Sequence, residues 1–148
     1  MDKAQKGFAL KAQKGFTLIE LVVVITILGI LAAFAFPRFA ALEVEARKAT
    51  INGLAGSVRA AASLAHSLDL VGADVNMEGN TITMTNGYPS IATGGIEDTL
   101  VDLTGFGYNA TTGLFTKTGA TTPANCSVTY VNAPAGGAPT ITVDTSDC

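Results

Sequence analysis

Residues 15–36 read Gly15-Phe16-Thr-Leu-Ile-Glu20-Leu-Val-Val-Val-Ile-Thr-Ile-Leu-Gly29-Ile-Leu-Ala-Ala-Phe-Ala-Phe36, an apolar run of membrane length with one carboxylate near its start. A charge inside a spanning segment costs about 2.5–3.5 kcal/mol on insertion scales, so its presence implies a partner. Nothing else in the run offers one, and Lys14, the nearest cation, sits at the membrane edge. The natural partner is the amino group that a cut between Gly15 and Phe16 would create. In a helical array that amine lies against Glu20 of a neighbouring copy, and the buried pair sets the stagger of the copies more than their stability. The competing reading keeps Glu20 as a snorkelling residue of a single-pass anchor. An ordinary secretory signal, cut after Ala33-Phe34-Ala35, conflicts with an apolar run of about 20 residues where a signal core has roughly 7–15.

Lys14-Gly15 followed by Phe16-Thr-Leu-Ile-Glu20 and an unbroken apolar helix resembles the type IV pilin and pseudopilin signature. The resemblance implies a leader of residues 1–15 cut after Gly15 by a prepilin peptidase, N-methylation of Phe16 by the same enzyme, and assembly through Phe16 and Glu20. Pro37 stands where this family has its helix kink, and Gly29 with Pro37 brackets the stretch expected to unwind when subunits pack. The sequence Lys-Ala-Gln-Lys-Gly-Phe occurs at residues 3–8 and again at 11–16; only the second copy leads into the acid and the apolar helix, so the cut is expected there and not at Gly7.

Composition agrees with one small head on a helical stalk. The chain has 148 residues, enough for one modest core and no second domain. Four of the nine cations, Lys3, Lys6, Lys11 and Lys14, lie in the leader, which places the N-terminus in the cytoplasm and the head outside. Removing residues 1–15 takes away those lysines and Asp2, leaving five cations against eleven acids. From Asp69 onward Lys117 is the one cation among eight acids, so no nucleic-acid partner is expected.

The expected fold is α+β: a helix over 16–68, of which 16–36 spans the membrane, and a head over 69–148 built on an antiparallel sheet of about four strands. Ile51, Leu54, Val58, Ala61, Ala62, Ala65 and Leu68 recur at spacings of three and four, a stripe that wants a sheet laid against it. Gly53 and Gly56 weaken that helix by up to about 1 kcal/mol each, which suits close helix approach or local melting. Strands are predicted at 81–85, 114–117, 127–131 and 140–144, with an Asn86-Gly87 turn after the first and a hairpin joining the last two. A short helix is predicted over 96–103, with acids in its first turn.

Cys126 and Cys148 are the only cysteines, and an outward-facing chain puts both in an oxidising compartment. Their disulfide would stabilise the fold by roughly 3 kcal/mol and pin the last strand. A redox or metal site would call for a CxxC spacing or a nearby histidine, which the sequence lacks. In pilins such a bridge delimits a surface loop.

No catalytic, cofactor or metal site is expected. His66, the single histidine, reads as a packed or surface helix residue, and Asp98 and Asp102 as dipole partners. Asp144 and Asp147 resemble the C-terminal calcium loop of major pseudopilins in position, but they lack a ligand run of the EF-hand kind. Asn109-Ala-Thr and Asn125-Cys-Ser fit the N-glycosylation pattern, weak evidence in a bacterial chain.

Further segments, Phe36-Pro-Arg-Phe39, Asn86-Gly-Tyr-Pro89, Asn125-Cys-Ser-Val-Thr-Tyr130 and Ala138-Pro-Thr-Ile-Thr-Val143, resemble the MSHA (mannose-sensitive haemagglutinin) type of pilin. The resemblance implies a major pilin in a homo-oligomeric surface filament for adhesion, served by an assembly platform and a cytoplasmic ATPase, and held in the inner membrane beforehand. The alternative is a pseudopilin of a type II secretion system.

Overall fold

The computed structural model describes residues 15–72 and 74–148, so the leader lysines lie outside the described residues. The chain forms two units, Met1–Ala40 and Ala41–Cys148. One helix, α1 (Leu18–Leu70), contributes to both.

In the first unit α1 carries Leu, Ile, Val and Phe on every side, and all of these side chains are exposed. It is long and apolar enough to cross a membrane. Its one hydroxyl, Thr26 Oγ1, donates to the Val22 carbonyl (2.7 Å), so no side-chain donor is left open along the run. The helix runs unbroken through Gly29 and Pro37. Pro37 nonetheless lacks the N–H that would bond the carbonyl one turn earlier.

In the second unit the sequence periodicity becomes a buried face. Ile51, Leu54, Ala55, Val58, Ala61, Ala62 and Ala65 of α1 are buried. Leu68 is only half-buried at the stripe's end. Gly53 and Gly56 point away from this core, and a methyl group at either would meet nothing within 4 Å.

The head sheet has four antiparallel strands in sequence order: β5 (Phe106–Asn109), β6 (Leu114–Lys117), β7 (Ser127–Val131) and β8 (Thr140–Asp144). Phe115 pairs with Tyr108 on one side and with Val128 on the other, and Val128 pairs with Val143, so one face of the sheet is apolar. Phe115, Val128 and Tyr130 are buried and join the α1 stripe in one core with Ile96 and both cysteines. Tyr130 keeps its place there by donating its hydroxyl to the Pro89 carbonyl (2.7 Å), and burial pushes that phenol well above its ordinary range.

Two expectations need correction. Residues 81–85 do not form one strand of this sheet. They divide between two small ribbons, β1 (Asn76–Met77) with β2 (Asn80–Thr81), and β3 (Met84–Thr85) with β4 (Tyr88–Pro89). The cause lies in the partners between them: Ile82 N–H donates to Val75, while Thr83 N–H donates to Gly94 and its carbonyl accepts from Ser90. Each ribbon closes on a two-residue turn with both residues at positive φ, Glu78-Gly79 and Asn86-Gly87, as tight hairpins require. The fourth strand of the sheet is instead β5, where Gly107 between Phe106 and Tyr108 dilutes the strand signal.

The helix over 96–103 is a single 3₁₀ turn, η1 (Ile96–Thr99), after which Leu100 is extended. Ile96 and Thr99 are buried, and Thr99 Oγ1 bonds back to the Ile96 carbonyl, so the turn is fixed by its docking. A second 3₁₀ turn, η2 (Pro123–Asn125), leads into β7.

Candidate assembly site at the start of the apolar helix

Thr17 sits just ahead of α1 and Glu20 lies in its first turn. Thr17 N–H donates to Glu20 Oε2 (2.8 Å), Thr17 Oγ1 donates to the same oxygen (2.9 Å), and Glu20 N–H donates back to Thr17 Oγ1 (3.2 Å). This is a capping box, in which two backbone donors that the helix leaves open are satisfied reciprocally. The box gives Glu20 hydrogen-bond partners within the run and no opposite charge among the described residues. The sequence held the signal in Thr-x-x-Glu ahead of an apolar stretch.

The cap uses one carboxylate oxygen. Oε1 receives no hydrogen bond among the described residues. Phe16, immediately before the cap, is 94% exposed, and its Gly15 peptide is exposed with it. The cap therefore fixes the direction of Glu20, and the segment where the cut is expected stays open.

The remaining singled-out residues lie in the head. Cys126 and Cys148 form a disulfide with Cα atoms 4.7 Å apart, joining the start of β7 to the segment after β8. Arg47 reinforces it from α1: Nη1 donates to the Cys148 carbonyl (2.8 Å), and the guanidinium also pairs with Glu43. The bridge closes a separation of 22 residues. Replacing both cysteines by serine should lower the unfolding free energy by about 3 kcal/mol, measured by urea titration of the full chain in detergent. A loss under about 1 kcal/mol would mean that β7–β8 pairing and Arg47 hold the segment unaided.

His66 Nδ1 donates to the Gly87 carbonyl (2.6 Å), and the ring stacks on Tyr88 at 4.0 Å and 7°. It is a packed helix histidine. Asp144 accepts from the Ser146 hydroxyl and amide, which hold its carboxyl below the usual carboxylate range. Among the described residues no three His, Cys, Asp or Glu side chains come together as a metal site.

Residues 10–36 match the prokaryotic N-terminal methylation motif. The chain is 52% identical over 52 residues to the type IV narrow pilus major component PilA5 of Thermus thermophilus, covering 35% of this chain and 45% of that protein. It is 67% identical over 30 residues to a fimbrial protein of Pseudomonas aeruginosa, 20% of each chain. It is 48% identical over 44 residues to the type IV major alpha-pilin of Moraxella bovis, 30% of this chain and 28% of that one. The chain thus spans less than half the length of these curated relatives. No solved structure matches it. Over its N-terminal third the chain is similar to type IV pilins, and it carries their methylation motif at the head of its apolar helix.

Proposed function

We propose that the chain is the major structural subunit of a type IV pilus, cut between Gly15 and Phe16 and N-methylated at Phe16 by a prepilin peptidase. The observation that carries this reading is a helix start whose large apolar side chains are all exposed, with a capped carboxylate in its first turn, inside the methylation motif of residues 10–36. Such a helix has two homes, the bilayer and a bundle of its own kind. Apolar surface is about equally buried in either, so packing and charge pairing supply the preference for the filament. A platform and a cytoplasmic ATPase supply the work.

In this reading the precursor sits in the inner membrane with its head outside, and the filament is extracellular. The function is assembly, without turnover. The head has the disulfide-closed C-terminal segment and Asn-Gly turn of the MSHA kind, which supports an adhesive surface filament. The acidic, threonine-rich loops of that head would set what the filament touches.

The test is the intact mass of the protein in filaments sheared from cells. The expected species is Phe16 to Cys148 plus one methyl group and minus two hydrogens. Processed protein confined to the inner membrane would favour a secretion pseudopilin instead, and a chain starting at Phe36 would overturn the pilin reading.

A further inference from the structure

The head carries an open groove of about 550 Å³ between the outer face of α1 and the segment that follows η1. Its walls are apolar: Leu54 and Leu64 on one side, Leu100, Val101 and Phe106 on the other. Val101 is 81% exposed and Leu64 53%, so this surface is uncovered in the single chain. Glu78 and Asp102 complete the lining. The Thr104 hydroxyl and amide beside Asp102 hold its carboxyl below the usual carboxylate range, so the acid is charged at neutral pH. The small residues Ser57 and Ala60 form the α1 edge, where a second helix backbone can approach closely.

An apolar groove with an acidic rim calls for an apolar segment bearing one cation. The chain itself contains such a segment. Leu31, Phe34 and Arg38 fall at i, i+3 and i+7 of α1, on one helix face. Leu31 and Phe34 are exposed. The other cations beyond the leader are engaged: Arg47 with Glu43, Lys48 with Glu45, Lys117 with the Gly105 carbonyl and the Phe106 ring, and Arg59 with the Ile141 carbonyl. Arg38 makes no ion pair among the described residues.

We propose that the groove docks a second copy of this chain, seating the Leu31-Phe34-Arg38 face of that copy's helix with Arg38 against Asp102 and Glu78. The inference rests on the subunit reading above and adds the acceptor surface to it. Apolar burial supplies the attraction, while the charges select which turn of the incoming helix enters the groove. Glu20 and the groove thus fix the stagger at two separate points.

The test uses the full chain in cells that make it. Arg38→Glu and Asp102→Arg should each cut pilin in the sheared fraction by about tenfold or more, because like charges then face each other. Combining them should restore much of the yield. Asp102→Asn, which keeps an acceptor for the Thr104 amide, should give an intermediate loss and guards against misfolding of the arginine variant. In a chain carrying Phe34→Cys and Val101→Cys, mild oxidation of filaments should give a ladder of linked pilins. Normal filaments from either charge-reversed single variant, no recovery in the combination, or linkage only to a different protein would each overturn the proposal. Absence of wild-type protein from sheared filaments would overturn the subunit reading itself, a separate outcome.

Discussion

Glu20→Gln and Glu20→Ala should both give a processed, membrane-bound subunit that is missing from sheared filaments, with yields down at least about a hundredfold. The two variants differ in what they remove. Gln retains the reciprocal bonds with Thr17, because a capping box accepts Glu or Gln at that position, and it loses only the charge. Ala also loses the two bonds from Thr17 to the Glu20 carboxylate, while the Glu20 N–H still reaches Thr17 Oγ1, so the cap is halved at a cost of at most about 1 kcal/mol of helix stability. In the proposed filament, leaving the Phe16 amine unpaired inside an apolar bundle would cost about 3–5 kcal/mol, several times the cap. The charge should therefore decide, and the variants should fail alike. The readout is quantitative mass spectrometry of Phe16-started chains in the sheared and membrane fractions. Filaments from the Gln variant alone would assign Glu20 to the cap, and normal filaments from both would end the pairing argument.

Period-3.6 and period-2 patterns were legible wherever one face of an element stays buried along its length. The α1 stripe is such a face, with Ile51, Leu54, Ala55, Val58 and Ala62 in the core shared with the sheet and Ala65 against Val75 and Ile82, and 114–117, 127–131 and 140–144 form β6, β7 and β8 because each lies in one continuous ladder. Residues 81–85 alternate just as well, yet Ile82 and Thr83 bond to three different segments, and no local pattern encodes a change of partner. β5 was obscured because Gly107 leaves only Phe106 and Tyr108 to carry the alternation. Of the candidate site, the acid and its position were plain. The cap is present as Thr17-x-x-Glu20, but in an apolar run a carboxylate signals a membrane charge more strongly than a capping partner. The acidic groove was beyond reach, since Glu78, Asp102 and Leu64 meet only through the fold.

Gly95→Ala should unfold the head, at a cost above about 4 kcal/mol, the range that marks a specific structural failure. A methyl group at this position would lie 1.9 Å from the Ser90 carbonyl oxygen and 2.8 Å from that of Ala92, both backbone atoms with no side-chain freedom to retreat. The Ser90 carbonyl is itself committed, accepting from Ile96 N–H (2.8 Å), and Ile96 is wholly buried. Ser90 N–H donates to Thr83, whose own N–H donates to Gly94 (2.6 Å), so displacing Ser90 disturbs the ribbon and the η1 docking together. Gly119→Ala is the control. Unlike Gly95, whose φ is −101°, it is at positive φ (80°), and nothing lies within 4 Å, so only the strain of a left-handed residue applies, about 1–2 kcal/mol. Thermal unfolding of the full chains in detergent separates the two, and a Gly95→Ala midpoint within a few degrees of wild type would mean that the Ser90 loop relaxes. The phenotypes should differ in kind as well. A Glu20 variant accumulates a folded subunit that does not assemble, whereas a Gly95 variant is cleared from the membrane before assembly is attempted, because the head must be closed before its helix can be used.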